Sequence, residues 1–314
     1  MNRCLICGKA AGTEEVNYHG RCLKQLFHSA HAPVLGYSWQ ELNQMATQIV
    51  RQRVSVPGVQ PKLSVHLEKD HKSGVDRLTL VGLDGDYILK PPNANYPFLP
   101  EAEHFCMMFA RLAGIQTADF GLIPLQSGEL AYITRRMDRT VDGPLHMEDF
   151  CQLTDKLTAQ KYRGSMEQIG KALREFSSTP GLDAIRFFEL TVFCFLTCNS
   201  DMHLKNYSLL RKKNGEFQLA PAYDLVPVKI ILPEDHEELA LTLNGKKAKI
   251  CRRDFEIFGQ TIKLTETQIR NAFHRVFSNA EKNLPEALDC SFLPSDKQAE
   301  IHRLFAARLK QLQT

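Results

Sequence analysis

Residues 201–226 read DMHLKNYSLLRKKNGEFQLAPAYDLV, and this stretch decides the fold that we expect for the whole chain. Asp201 and Asn206 form the pattern D-x-x-x-x-N, which is the spacing of a catalytic loop that transfers phosphoryl groups. The dipeptide Asn214-Gly215 predicts a hairpin turn. Asp224 follows that hairpin, 18 residues after Asn206. The stretch therefore predicts a phosphoryl-transfer centre.

Three polar side chains of this stretch would each have a role in that chemistry. Asp201 would accept the proton of the attacking hydroxyl. Asn206 and Asp224 would bind Mg²⁺, which prefers hard oxygen ligands. The pattern alone is short, because Asp and Asn are also common turn formers. The prediction therefore depends on further groups elsewhere in the chain.

Two upstream features supply groups that can bind phosphates. Lys90 ends the apolar strand YILK, where a lysine can reach the α- and β-phosphates of ATP. Glu103, near the start of the next helix, could pair with Lys90, and Glu101 is its rival. A turn between a helix and a strand could cradle phosphates through its backbone N–H groups. That turn comprises Pro57, Gly58, Val59, Gln60, Pro61 and Lys62.

The pattern of the chain changes near residue 140. Before it, alternating apolar residues at 63–67 and similar runs predict strands, and Pro100 and Gly114 bound one helix. After it, helical spacing predominates and includes MEDFCQLT at 147–154. This order predicts an α+β, bilobal, protein-kinase-like fold. We expect a Cys/His segment at 1–30, an N-lobe at 31–140 and a helical C-lobe at 141–314.

The composition is that of an ordinary globular protein. Hydrophobic residues make up 43% and charged residues 24% of 314 residues, with a formal charge of +3. No apolar run approaches the roughly 18 residues that span a bilayer, and the N-terminus lacks a secretory signal, so we expect a cytoplasmic protein. Nine cysteines, an odd number, argue against a disulfide framework. Cys194 and Cys198, set in an apolar run, are expected in the core.

The N-terminal cysteines have the spacing of a metal site. Cys4, Cys7, His19 and Cys22 form C-x₂-C-x₁₁-H-x₂-C, which could hold a tetrahedral, structural Zn²⁺ in a zinc-ribbon-like segment. A segment of this length has too little core to fold alone, and zinc would stabilise it. Free thiols packed on the rest of the protein are the alternative.

Seven motifs in order resemble the HipA-type serine/threonine kinases of bacterial toxin–antitoxin systems. The resemblance extends from about residue 50 to the C-terminal helices. The motifs are SVPGVQPKLS, YILKPP, PEAEHFCMMFARLAGI, YITRRMDR, HMEDFCQLT, NSDMHLKNYSLL and LAPAYDLVP.

The resemblance implies a role for individual residues. Asp201 matches the catalytic base, Asn206 and Asp224 the metal ligands, and Lys90 the ATP lysine. The turn at 57–62 matches the loop that covers the phosphates. Arg135, Arg136 and Met137 match the hinge that holds adenine through backbone groups. Further residues in matching nucleotide-binding stretches are Asp138, His203 and Tyr223.

Ser55 matches the autophosphorylation site of the family. A phosphate there would add nearly two negative charges, displace the loop and compete with the phosphates of ATP. The chain is similar to the short, HipT-like form, whose loop reads Ser-Ile-Ser-Gly. Here the loop reads Ser55-Val56-Pro57-Gly58, so a single serine remains. Arg135 stands where an acidic residue is common.

The resemblance also implies a function and partners. It implies a protein kinase toxin that phosphorylates an aminoacyl-tRNA synthetase and inhibits translation. The expected antitoxins are a DNA-binding HipB-like protein and a small HipS-like protein, with DNA reached only through the antitoxin. A small-molecule kinase and a catalytically weak, nucleotide-binding corepressor are the alternatives. The basic stretch at 245–253 is either a DNA contact or a solvated face.

Overall fold

A computed structural model describes residues 2–12, 17–52, 61–69, 75–82 and 84–313, with only the backbone for 46–52. Ser55 and the loop residues at 57–60 lie outside the described residues. Contacts divide the chain into two compact units. The first comprises Met1–Phe105, Ala118–Met137 and Asp289–Leu293, and the second Cys106–Thr117, Asp138–Leu288 and Pro294–Thr314.

The first unit contains a six-stranded sheet in the order β1-β3-β2-β4-β6-β5. The predicted alternation at 63–67 is confirmed, because Leu63, Val65 and Leu67 are buried while His66 is exposed. β1 pairs with β3 in parallel, and the other neighbours are antiparallel. The strands are β1 Val34–Leu35, β2 Leu63–Glu68, β3 Arg77–Leu80, β4 Tyr87–Lys90, β5 Phe120–Pro124 and β6 Leu130–Arg135.

Three helices begin in the first unit: α1 Gly20–Phe27, α2 Trp39–Gln52 and α3 Leu99–Leu112. Ser38 caps α2, since its Oγ accepts from the N–H of Glu41 at 3.3 Å and its own N–H donates to the Glu41 carboxylate at 2.7 Å. Gly114, just beyond α3, has a φ of +88°, which suits glycine at a helix end.

The second unit holds two small sheets. The predicted hairpin is confirmed, with Leu209 opposite Leu219 and Gly215 at a φ of +89° in the turn. The three-stranded sheet has the order β11-β10-β9, and β7 pairs with β8. The strands are β7 Arg139–Thr140, β8 Gly143–Pro144, β9 Met147–Asp149, β10 Ser208–Arg211 and β11 Phe217–Leu219.

One helical prediction in the second unit is wrong in part. Met147–Asp149 forms strand β9, and helix α4 (Phe150–Leu153) begins only after it. β9 pairs with β10, with Glu148 opposite Leu209. Because the segment is short, its helical spacing is overridden by this long-range pairing. Asp149 then caps α4 by accepting from the N–H of Gln152 at 3.0 Å.

Phenylalanine rings fill the core of the helical part of the second unit. Phe188 stacks on Phe258 with ring centroids 5.7 Å apart and meets Phe255 and Phe273 edge to face. Each buried ring contributes about 1.5–3 kcal/mol. Cys194 is buried as expected. The further helices are α5 Met166–Phe176, α6 Pro180–Leu196, α7 Val228–Ile231, α8 Arg252–Thr261, α9 Glu266–Asp289 and α10 Ser295–Gln313.

Cations of the basic stretch at 245–253 have local partners. Lys246 pairs with Asp254 at 2.8 Å, and Lys247 pairs with Glu237 at 3.0 Å. These surface pairs place a carboxylate beside two of the five cations of the stretch. Among the helices of the described part of the chain, none has both the length and the apolar character that crossing a bilayer requires.

Candidate active site

The β10–β11 hairpin joins the two halves of the predicted catalytic stretch. Asn206 lies just before β10, and Asp224 lies shortly after β11. The Tyr223 hydroxyl donates to the backbone oxygen of Lys205 at 2.9 Å and lies 2.6 Å from the Ser208 hydroxyl. Tyr223 therefore fastens the segment that carries Asp224 to the segment that carries Asn206.

A tight turn holds Asp201 and Asn206 on one loop. The N–H of His203 donates to the Asp201 carbonyl at 2.8 Å, and the N–H of Asn206 donates to the His203 carbonyl at 2.9 Å. The side-chain amide of Asn206 also donates to the Asp201 carbonyl, at 3.1 Å. This bond fixes the amide nitrogen toward the loop and leaves Oδ1 to accept a further ligand. Asn206 is thus oriented as an oxygen donor.

Asp224 has an unusual backbone conformation. Its φ of +60° lies in the left-handed region, which Asp tolerates better than most residues. Such conformations cost on the order of 1 kcal/mol and occur often at functional sites. The carboxylate of Asp224 and the Oδ1 of Asn206 are hard oxygen donors on two segments that Tyr223 joins. This donor set fits Mg²⁺.

Tyr162 is a site residue that the sequence did not reveal. Its hydroxyl donates to Oδ1 of Asp201 at 2.5 Å, and its ring meets that of His203 edge to face with centroids 5.0 Å apart. Burial raises the pKa of Tyr162, and the charges of Asp201 and Asp224 raise it further. Tyr162 is therefore a protonated donor at neutral pH, and both carboxylates act on it.

Replacing Tyr162 with phenylalanine is expected to lower kcat about tenfold, because a hydrogen bond to a charged group contributes about 1.5 kcal/mol or more. The loss would come from poorer orientation of Asp201, so KM for ATP should change little. Steady-state kinetics on both proteins would check this. A Tyr162→Phe variant with a higher kcat would instead mean that the hydroxyl blocks Asp201.

An ion pair anchors the loop that carries Asp201 and Asn206. The Lys205 ammonium contacts the Asp149 carboxylate at 2.5 Å. Asp149 also caps α4, and its own N–H donates to the Gln152 side chain at 3.0 Å. The loop is thus tied to the start of a helix through a side chain that already has fixed partners.

In the first unit, Lys90 and Glu103 form a buried ion pair. Their charged atoms are 2.6 Å apart, and the residues are 2% and 0% exposed. The Lys90 ammonium also lies 5.4 Å from the centre of the Tyr132 ring. Lys90 in β4 is paired with Tyr132 in the neighbouring strand β6. Of the two glutamates considered, Glu103 rather than Glu101 is the partner. The pair fixes the position of a positive charge at the end of β4.

The predicted hinge offers fewer backbone donors than expected. The N–H groups of Arg135 and Arg136 donate to the carbonyls of Asp119 and Asp86, at 2.8 Å each. Within the described residues, the backbone of Met137 makes no such bond. Of the three hinge residues, Met137 is therefore the one whose backbone N–H has no backbone carbonyl partner among the described residues.

The other predicted site residues lie in different parts of the structure. Pro61 and Lys62 directly precede β2, and Lys62 is exposed. The Asp138 carboxylate accepts from Arg139 at 2.6 Å. The four N-terminal residues also come together, and their ligand atoms all lie within 4.8 Å of one another: Cys4, Cys7, His19 and Cys22.

The chain is similar to known proteins in sequence and in fold. The family model described as HipA-like C-terminal domain matches residues 54–284. A Sinorhizobium fredii protein named "Putative kinase Y4dM" is 32% identical over 75% of this chain, which spans 62% of that protein's length. A Haemophilus influenzae protein named "Putative kinase" is 27% identical over 99% of this chain and 98% of its own length.

A solved structure shares the fold. It is the complex of HipA, HipB and operator DNA from the Shewanella oneidensis MR-1 toxin–antitoxin system. The TM-score is 0.68 at 19% identity, and the match covers 89% of this chain and 72% of that one. The predicted α+β, kinase-like fold is thereby confirmed.

Proposed function

This chain belongs to the family of the HipA-like C-terminal domain, and from that premise we propose that it is an ATP-dependent serine/threonine protein kinase acting as a toxin. The buried ion pair of Lys90 and Glu103 carries the proposal. Burying two charges is costly, and apolar residues of similar size are often as stable in their place. Stability alone therefore does not explain a buried ion pair at this position. A function does: Glu103 holds the Lys90 ammonium in place for the phosphates of ATP.

The proposed reaction is an in-line displacement. Asp201 accepts the proton of a serine or threonine hydroxyl while that oxygen bonds to the γ-phosphorus, and the bond from that phosphorus to the bridging oxygen of ADP breaks. Asn206 and Asp224 would hold Mg²⁺, which neutralises phosphate charge when bound. Lys90 contacts the α- and β-phosphates. Tyr162 keeps the Asp201 carboxylate in place.

Other residues are proposed to bind the nucleotide or support those that do. The turn at 57–62 would cover the phosphates, and Met137 of the hinge would bind adenine through its backbone. Asp138, directly after the hinge, is proposed to belong to the same nucleotide-binding segment. Tyr223 and His203 would act through the loops that they hold, because the Tyr223 hydroxyl is engaged by Lys205 and Ser208.

We propose an aminoacyl-tRNA synthetase as substrate, so that phosphorylation inhibits translation in the cytoplasm. The proposed partners are a DNA-binding HipB-like antitoxin and a small HipS-like antitoxin. The solved Shewanella complex, in which HipA is found with HipB and operator DNA, supports a partner of the first kind. DNA would be reached through that antitoxin, since lysines of the 245–253 stretch have carboxylate partners.

Autophosphorylation of Ser55 is proposed to switch the kinase off. Purified protein incubated with Mg²⁺ and ATP should gain one phosphate on the peptide that contains Ser55. Activity should then fall with time, because the phosphate competes with those of ATP. The Ser55→Ala variant should keep its activity over the same period. If wild type loses no activity while Ser55 becomes phosphorylated, the proposed inhibition by Ser55 phosphate is wrong. The proposed kinase activity would still stand.

The second candidate is a corepressor that binds nucleotide and an antitoxin without catalysis. Growth inhibition by the Asp201→Asn variant separates the two functions. A kinase toxin needs the carboxylate, so the variant should be harmless to cells. A corepressor would act equally well with aspartate or asparagine at this position.

A further inference from the structure

Four side chains outside the proposed kinase chemistry converge near the N-terminus. The sulfurs of Cys7 and Cys22 lie 3.3 and 3.8 Å from Nδ1 of His19. Tetrahedral Zn²⁺, with Zn–S of about 2.3 Å and Zn–N of about 2.0 Å, places sulfur and nitrogen about 3.6 Å apart. The observed separations bracket this value. With Cys4, the set has three sulfurs and one imidazole, as structural zinc sites do.

The contacts around His19 favour metal binding. Its Nε2 donates to the Ala10 carbonyl at 2.9 Å, which fixes the tautomer so that Nδ1 carries the lone pair. Histidines that bind metals are usually held in this way by their second nitrogen. The backbone N–H of His19 also donates to the sulfur of Cys4 at 3.4 Å. The outer contacts of a zinc site are therefore already formed.

The turn from Cys4 to Gly8 presents two sulfurs to the same point. The N–H of Gly8 donates to the Cys4 carbonyl at 2.8 Å, and Gly8 has a φ of +70°. A Cβ at Gly8 would lie 2.0 Å from the backbone oxygen of Cys290, so a side chain does not fit. Cys22 lies in the first turn of α1, and His19 is the N-cap of this helix, so the start of α1 positions both ligands.

The segment that carries these ligands covers an open sheet edge. β5 is the last strand of the six-stranded sheet. The N–H of Leu122 in β5 donates to the Leu5 carbonyl at 2.8 Å, and the Leu122 carbonyl accepts from the Tyr18 hydroxyl at 2.9 Å. His104 contacts the Ile6 carbonyl at 3.0 Å. Both outward backbone groups of Leu122 are thus satisfied at an edge that would otherwise be exposed.

We propose that Cys4, Cys7, His19 and Cys22 bind one Zn²⁺, and that this metal holds the N-terminal cap on β5. The N-terminal cap is residues 2–12 and 17–28. A cap of this size has too small a core to fold by itself. Binding releases the thiol protons to solvent and leaves three thiolates and a neutral imidazole on the metal. The sheet that carries Lys90 then depends on zinc for one of its edges.

Metal analysis of the full-length protein, purified without chelator, tests the site. Wild type should contain one zinc per chain. Cys22→Ser should contain at least about tenfold less, because the sulfur is lost. Cys251→Ser is the matched control, since Cys251 is exposed and lies outside the cluster, and it should keep its zinc. Wild type that neither contains zinc nor takes up added Zn²⁺ would overturn the proposal.

A second variant covers the case in which Cys22→Ser fails to fold. His19→Cys keeps four ligands and should retain zinc. After cobalt substitution it should absorb more strongly in the sulfur-to-cobalt charge-transfer region than wild type does. An unchanged cobalt spectrum, or a disulfide between any two of Cys4, Cys7 and Cys22, would contradict the assigned ligands.

Hydrogen–deuterium exchange tests the role of the N-terminal cap. Chelation of the zinc should speed exchange in β5, above all at the Leu122 amide, which loses its bond to Leu5. Exchange in α9 serves as the internal reference. If zinc can be removed while exchange in β5 stays unchanged, the metal does not hold the cap. These readouts do not involve phosphoryl transfer, so they stand or fall separately from the proposed kinase activity.

Discussion

The Asp201→Asn variant is expected to lose phosphoryl transfer, with kcat falling by about 10²–10⁴-fold. Asparagine keeps the shape of the side chain and can still accept the hydrogen bond from Tyr162. It cannot accept the proton of the attacking hydroxyl. The turn formed by the backbone of Asp201 is also retained, because Asn206 bonds to the carbonyl and not to the carboxylate. Transfer of labelled γ-phosphate would measure the change.

A matched control shows whether the loss of one negative charge from the protein is enough to lower kcat. Asp142 lies on an exposed turn and pairs with Lys213 at the surface. Asp142→Asn makes the same chemical change there and should leave kcat near the wild-type value. Affinity for Mg-ATP should be similar in all three proteins, since Asn206 and Asp224 remain. An Asp201→Asn variant that transfers phosphate at the wild-type rate would remove Asp201 from the mechanism.

Replacing Lys90 with methionine is expected to reduce both activity and stability. Loss of a cation aimed at the phosphates should lower kcat on the order of 10²-fold. The change also leaves Glu103 buried without its charged partner, which costs about 3–5 kcal/mol in the free energy of unfolding. Urea unfolding can be followed through Trp39, the single tryptophan, whose indole donates to the Pro92 carbonyl at 3.0 Å.

A double variant distinguishes function from stability at this pair. Lys90→Met with Glu103→Leu removes both charges, so the free energy of unfolding should recover most of the loss. Activity should stay low, because no ammonium is restored. Lys171→Met, on an exposed position of α5, is the control and should change neither quantity. If the double variant regained activity, the pair would be structural only.

Local patterns in the sequence predicted much of the candidate site. The prediction of Asp201, Asn206 and Asp224 rests on the spacing of a loop and on a turn dipeptide. Neither signal depends on contacts between distant parts of the chain. Lys90 follows from an apolar strand that ends in lysine. Its burial could not be predicted, since a lysine at a strand end is usually solvated.

Other features depend on packing that local patterns do not encode. Glu101 and Glu103 are two residues apart on one helix and so lie on different faces, and only the rotation of α3 in the fold selects Glu103. Tyr162 contacts Asp201 from 39 residues away in the sequence. β9 requires its partner β10, which comes from a distant part of the chain. Each of these outcomes was decided by tertiary contacts.

The activity proposed for this protein is the transfer of phosphate from ATP to another protein. Quantitative mass spectrometry of phosphopeptides, from cells expressing wild type or Asp201→Asn at equal levels, tests it most directly. We expect one dominant serine or threonine phosphosite on a cellular protein, and phosphate on Ser55, both present only with wild type. Identical phosphopeptides in the two cultures, at expression levels where wild type stops growth, would contradict the proposed activity.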